Sequence, residues 1–200
     1  MSFRSGAATA LLLVSLPAAV LSQGCTAPPP ATNYAFANFT GAWYEIARIQ
    51  TAGGNLIQQF CACTQIIYTP DAHPANASDV DVNNSCRFEN PSGFWLNATS
   101  YLTDGGQNGG HWIERYFPGG PAASYNIILT GSDARGVQWA VEYDCSTGVL
   151  GSNYCLHYLS RSPLGFDAAL LASLIKETTV TMGLNPENRP LNMTMQEGCW

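Results

Sequence analysis

The chain has 200 residues, a formal net charge of -6 and only eight lysines and arginines, scattered along its length. No basic stripe is available to hold phosphates, which argues against a nucleic acid or an anionic membrane surface as partner. The length suffices for one domain with a sizeable core.

Arg4 precedes an apolar run over 10–21 that is too short and too weakly flanked to span a membrane. It reads as a cleaved signal peptide over 1–22. The small residues Val20 and Ser22 place the mature N-terminus at Gln23, leaving a single domain over 23–200 and no integral membrane association. A lipid anchor on Cys25 competes with this reading, but Ser22 stands where a leucine would be wanted. All seven cysteines lie beyond the signal segment, so export to an oxidising compartment implies disulfides and one thiol left over. Five Asn-x-Ser/Thr sequons agree with export: Asn38, Asn76, Asn83, Asn97 and Asn192.

The mature chain opens on an extended arm over 26–32, whose three consecutive prolines exclude helix and central strand and place it along the outside of the fold. Gly41 then supplies a turn that delivers Trp43 into a strand. Alternation puts Trp43, Glu45 and Ala47 on one face and Tyr44, Ile46 and Arg48 on the other. Runs rich in β-branched and aromatic residues follow, eight in all: 43–50, 63–69, 80–88, 94–102, 111–117, 125–132, 138–145 and 154–161. Their spacing predicts an all-β fold, an antiparallel up-and-down barrel whose closure removes the two edges of an open sheet. The Gly-rich stretch over 104–110 lacks the strand-before, helix-after context of a phosphate loop and reads as a hairpin turn. One C-terminal α-helix is expected outside the barrel, starting at Ser162-Pro163 and carrying Leu170, Leu171, Leu174 and Ile175 on its apolar face. The tail over 191–196 alternates again.

Gly41-Ala42-Trp43-Tyr44-Glu45-Ile46-Ala47 resembles the opening of the lipocalins, in particular the apolipoprotein D and bilin-binding branch, and Tyr158-Leu159-Ser160-Arg161-Ser162-Pro163 resembles the end of that family's last barrel strand. The resemblance implies that Trp43 plugs the closed end beneath a ligand cavity and that the Arg161 guanidinium lies over its ring, a contact of about 1 to 2 kcal/mol. It also implies a short ninth strand before Cys199. The family's middle motif, Thr-Asp-Tyr, is replaced by Thr130-Gly131-Ser132-Asp133, which bears on the lower loop and any receptor contact made there. By the same resemblance Cys25 pairs with Cys145, and Cys63 with Cys199. Cys61 and Cys86 lie on neighbouring strands, where register could bring them opposite, with Cys86–Cys199 as the rival. Cys155 is then a free thiol, expected near the cavity mouth.

If Arg161 points inward to Trp43, then Leu159, His157 and Cys155 do so too. Glycans on Asn83 and Asn97 would face out, turning Val82, Asn84, Cys86, Phe94, Leu96, Ala98 and Ser100 inward. The predicted lining is therefore Glu45, Ala47, Val82, Asn84, Leu96, Ala98 and His157, with Tyr68 added by resemblance. Such a cup suits a small hydrophobic ligand, although eight strands also suit a barrel filled by its own side chains. The function implied is a secreted, non-enzymatic carrier of a lipid, retinoid, steroid, bilin or carotenoid. No cofactor is expected beyond a carried pigment such as a bilin or carotenoid. A cell-surface receptor or a homo-oligomer remains open as partner. No metal is expected, because His73, His111 and His157 show no ligand spacing with the cysteines. The alternative is an enzyme resembling the lipocalin branch that isomerises prostaglandins with a cavity thiol, here Cys155 beside His157.

Overall fold

Side chains that alternate between β-branched or aromatic and polar build eight antiparallel strands in a computed structural model: β1 (Gly41–Gln50), β2 (Cys61–Pro70), β3 (Val80–Phe88), β4 (Trp95–Asp104), β5 (His111–Arg115), β6 (Ala123–Ser132), β7 (Gln138–Gly148) and β8 (Gly151–Ser160). Each strand pairs with the next, and β1 pairs with both β2 and β8, so the sheet closes into the expected up-and-down barrel. The structure describes residues 25–26, 28–51, 58–72, 74–75, 79–104, 110–148 and 151–200; the stretch expected to be a signal peptide, Gln23, His73, Asn76 and residues 105–109 of the Gly-rich turn lie outside the described residues.

The arm runs alongside β6, with the Ala31 amide donating to the Ile127 carbonyl at 2.8 Å, and then turns inward through a short helix, α1 (Phe36–Phe39). This brings Phe39 under the barrel, beside Trp43, Tyr68, Trp112, Tyr125, Val82, Leu102, Ile127 and Leu159. These side chains fill the closed end. Arg161 locks it from below, its guanidinium carbon 4.0 Å from the Trp43 ring centroid. Its Nη1 donates to Ala42 O at 2.7 Å, and Nη2 faces the carbonyls of Asn38, Phe39 and Thr40 at 2.8, 3.0 and 2.8 Å. A Cβ on Gly41 would stand 3.3 Å from Nη1, and its φ of +96° favours glycine in any case. Arg161→Lys keeps the charge but loses the planar fork, so it should cost about 1 to 3 kcal/mol of stability. Urea unfolding with an unchanged slope measures this, and a cost near zero would deny the lock.

A second apolar cluster lies outside the wall. Ile46, Ala47 and Ile49 of β1, Val141 and Tyr143 of β7, and Leu156 and Tyr158 of β8 pack against Leu171 and Leu174 of α2 (Ala168–Lys176), which continues as a π-helical turn over Glu177–Thr181. The helix begins later than Ser162-Pro163: Asp167 Oδ1 accepts from the amides of Ala169 and Leu170 and sets the N-cap, while Ser162 Oγ accepts from Leu164 N in the preceding turn. Among the described residues no helix is long and apolar enough to cross a membrane.

Ala47 belongs to this outer cluster rather than to the cup. A bulge in β1 sets Glu45 opposite Leu159 but Ala47 opposite Tyr158, so the strand advances two residues while β8 advances one. Ile46 and Ala47 both turn outward, and Arg48 takes the inward position. Phe94 also departs from strict alternation: it precedes β4, is exposed, and stacks on Phe88 with centroids 5.0 Å apart.

Three disulfides form, Cys25–Cys145, Cys61–Cys86 and Cys63–Cys199, which rules out the rival Cys86–Cys199 pairing. Cys155 is free, but it is buried, with its thiol donating to Gln50 Oε1 at 3.2 Å, and does not sit at a mouth. The tail forms β9 (Asn192–Met193) opposite Ala47 and Arg48. The β1–β2 ladder stops at Tyr44–Gln65, and there the Gln196 amide donates to Glu45 O at 2.9 Å and Thr64 O at 2.8 Å, stitching the two strands together. Of the sequons, Asn38, Asn97 and Asn192 are exposed and Asn83 is half-buried.

Candidate functional site

Above the aromatic floor, the inner face of the barrel changes character. Two residues up from Trp112 stands Glu114; two and four up from Ala140 stand Glu142 and Asp144; two and four up from Leu159 stand His157 and Cys155. Glu45 and, past the bulge, Arg48 complete this level from β1. Glu45 is fully enclosed and saturated: Oε1 accepts from Arg48 Nη1 at 2.5 Å and from the Thr194 hydroxyl, and Oε2 lies 2.5 Å from His157 Nδ1. Arg48 also donates to Gln58 O at 2.5 Å and to Thr194 Oγ1 at 3.2 Å. Across the barrel interior Tyr68 of β2 donates to Glu142 Oε2 of β7 at 2.9 Å, and its oxygen is 2.5 Å from that of Tyr125 of β6.

These contacts push the acids apart. Burial favours the neutral form of Glu45, but the hydrogen bond from His157 and the charges of Arg48 and His157 outweigh it and hold its pKa at about 2. For Glu114 the balance falls the other way: burial, then the charge of Asp144, raise it to about 8, against the smaller pulls of Ser100 and His157. Glu142 is raised to about 7, chiefly by burial and against the pull of His157. Burial opposes a charge on His157, yet the surrounding Cys155, Glu142 and Asp144 outweigh it and raise its pKa well above 6.5. The level therefore sets the ionised Glu45 against two cations and keeps Glu114 and Glu142 beside them, which hold their protons toward neutral pH.

Over this level opens a cavity of about 430 Å³, with Ile66, Leu96 and Ala98 on its apolar side and Glu45, Thr64, Asn84, Tyr116 and His157 among its polar lining. Of the residues expected to line it, Glu45, Asn84, Leu96, Ala98 and His157 do so; Tyr68 and Val82 lie in the packed floor, and Ala47 lies outside. The floor is filled and the upper half is not, so an open cup and a packed barrel both describe part of this molecule. Arg48, Glu114, Tyr116, Glu142 and Asp144 escaped the sequence reading. Period-two counting from Trp112 would have found Glu114, but acids on an inner face run against the hydropathy pattern used to assign faces. No family model matches the chain, and no curated protein matches it.

Proposed function

We propose that the protein is a non-enzymatic, lipocalin-like carrier that holds one small amphipathic molecule in the barrel cup. The single observation that carries this reading is the half-open cavity of about 430 Å³ above a sealed aromatic floor. Its size lies toward the lower end of the range for small-molecule sites. Among the classes expected, a fatty acid, retinoid or steroid suits it better than an extended carotenoid. The apolar part of the ligand would lie on Ile66, Leu96 and Ala98, and its polar end would meet Thr64, whose buried hydroxyl makes no hydrogen bond within the described protein. Carriage is favoured over a cavity-thiol isomerase because burial pushes the Cys155 thiol up to about 12, where a thiolate is scarce at neutral pH. Three disulfides and exposed sequons support export, in line with the N-terminal apolar run expected to be a signal peptide, and the likeness to the apolipoprotein D branch stays at the level of the motifs around Trp43 and Arg161.

Ala98 faces the cup, so Ala98→Trp should fill it without disturbing the floor. Displacement of a fluorescent fatty acid, with retinol and a steroid as competitors, should show affinity falling at least about tenfold, a change of 1.4 kcal/mol. Thermal stability should barely move. Equal binding by the variant, or no binding of any probe by the parent protein, would refute the cup as the site.

A further inference from the structure

We infer that the inner face of β7 and β8 is a binding site for one divalent transition-metal ion, held by Asp144 Oδ2, Cys155 Sγ and His157 Nε2, with the Glu142 carboxyl beside them. The inference goes beyond carriage and does not depend on it. Asp144 stands opposite Cys155 and Glu142 opposite His157 in the β7–β8 ladder, so two adjacent cross-strand pairs present four donor side chains on one face. Ligand atoms of Asp144, Cys155 and His157 lie within 4.8 Å of one another. His157 Nε2 is 3.8 Å from Asp144 Oδ2 and 3.9 Å from Glu142 Oε1. These separations exceed a hydrogen bond, but donors around a tetrahedral ion at zinc bond lengths stand about 3.5 Å apart. Small rotations would bring the three onto a common centre.

The groups behind the donors are arranged to aim them. Glu45 Oε2 holds His157 Nδ1 at 2.5 Å, which leaves Nε2 directed at the cluster. A carboxylate on the far nitrogen is the usual support of a metal-binding histidine. Likewise Tyr68 occupies Glu142 Oε2 and leaves Oε1 facing His157. The Asp144 side chain is 26% exposed, which gives an ion a way in. One sulfur, one nitrogen and carboxylate oxygens select zinc-like ions over calcium or magnesium, which prefer all-oxygen shells. On binding, Cys155 gives up the thiol proton it now shares with Gln50 and the His157 imidazolium gives up its Nε2 proton, both protons leave to solvent, and the thiolate and the imidazole then neutral each donate a pair to the ion. Loop-type Cys/His spacing does not reveal such a site, because its donors are two apart on one strand and across from each other on the next.

The test uses the full disulfide-bonded chain, stripped with chelator and titrated with Co2+. One equivalent should bind, with a thiolate-to-cobalt charge-transfer band in the near ultraviolet and displacement by Zn2+. Cys155→Ala should abolish the band. Glu45→Gln should weaken binding by about 10- to 100-fold while keeping the band, as a positioning residue would. Should either variant fail to fold, Asp144→Asn at the more exposed donor, with a similar loss of affinity, replaces it. Absence of the band from the parent protein overturns the proposal whatever the variants do, and so does a band that survives Cys155→Ala.

Discussion

Replacing Glu114 with glutamine should raise the melting temperature of the chelator-treated protein at about pH 9 by roughly 10 to 20 °C and leave it nearly unchanged at about pH 4. Glu114 titrates at about 8 in the folded chain, against 4.5 for a free carboxyl, because burial and then the charge of Asp144 penalise its ionised form. A carboxyl whose folded pKa is raised favours the folded state fully below the unfolded value, and that contribution is lost as pH rises through the folded value. The window is therefore from 4.5 to about 8, and at the far side the parent protein has given up several kcal/mol, on the order of 5, by the pKa difference. Glutamine mimics the protonated acid at every pH and removes this slope. Glu142, raised to about 7, leaves a residual slope of the same sign in the variant. Glu45 works in the opposite direction: held at about 2, it stabilises the fold above the unfolded value of 4.5 and loses that effect only as pH falls toward 2. Parallel pH profiles for parent and variant would mean that Glu114 is hydrated rather than sealed into the barrel.

The same residue shows where sequence reading succeeds and where it stops. Strand existence was legible because runs such as 138–145 and 154–161 are dense in β-branched and aromatic residues between turn formers, and closure follows from eight such runs with no tolerated edge. The floor was legible from Trp43 and Arg161 through the resemblance of their two segments to a known family, and the structure places the guanidinium 4.0 Å from the ring centroid. Facing within β1 was not. Nothing in Glu45-Ile46-Ala47-Arg48 announces a bulge, since either strict alternation or a one-residue slip buries the same apolar atoms, outside or inside. The acidic level was illegible for a different reason: hydropathy assigns Glu114, Glu142 and Asp144 to solvent, and only the cations and hydroxyls brought to them by distant strands make their burial tolerable. The helix start moved from Ser162-Pro163 to Asp167 because the first serine spends its hydroxyl on a turn amide.

Removing the Cys63–Cys199 disulfide by paired alanine substitution should cost about 5 kcal/mol, against about 3.5 for Cys61–Cys86, if loop entropy of the unfolded chain dominates. The two bridges span 136 and 25 residues of sequence. The longer one should have a further, local effect that the shorter lacks. It anchors the tail that places Met195 O on the Cys63 amide at 2.8 Å, Gln196 across the gap between Glu45 and Thr64, and Thr194 on Glu45 Oε1. Once freed, that segment should open below the global unfolding energy, because β9 is only two residues long and exposed. Hydrogen exchange at Thr194 and Cys63 should then accelerate well beyond the exchange of the β7–β8 ladder, and a protease should nick the tail before the barrel. With Thr194 gone, Glu45 loses one of the donors that hold its charge, so its pKa should rise and acid unfolding should begin at higher pH. The Cys61–Cys86 variant should show the smaller stability loss with slow exchange at Thr194. Equal losses for the two bridges, with the tail still protected, would show that the tail holds the seam by its hydrogen bonds alone and that the disulfide adds nothing to it.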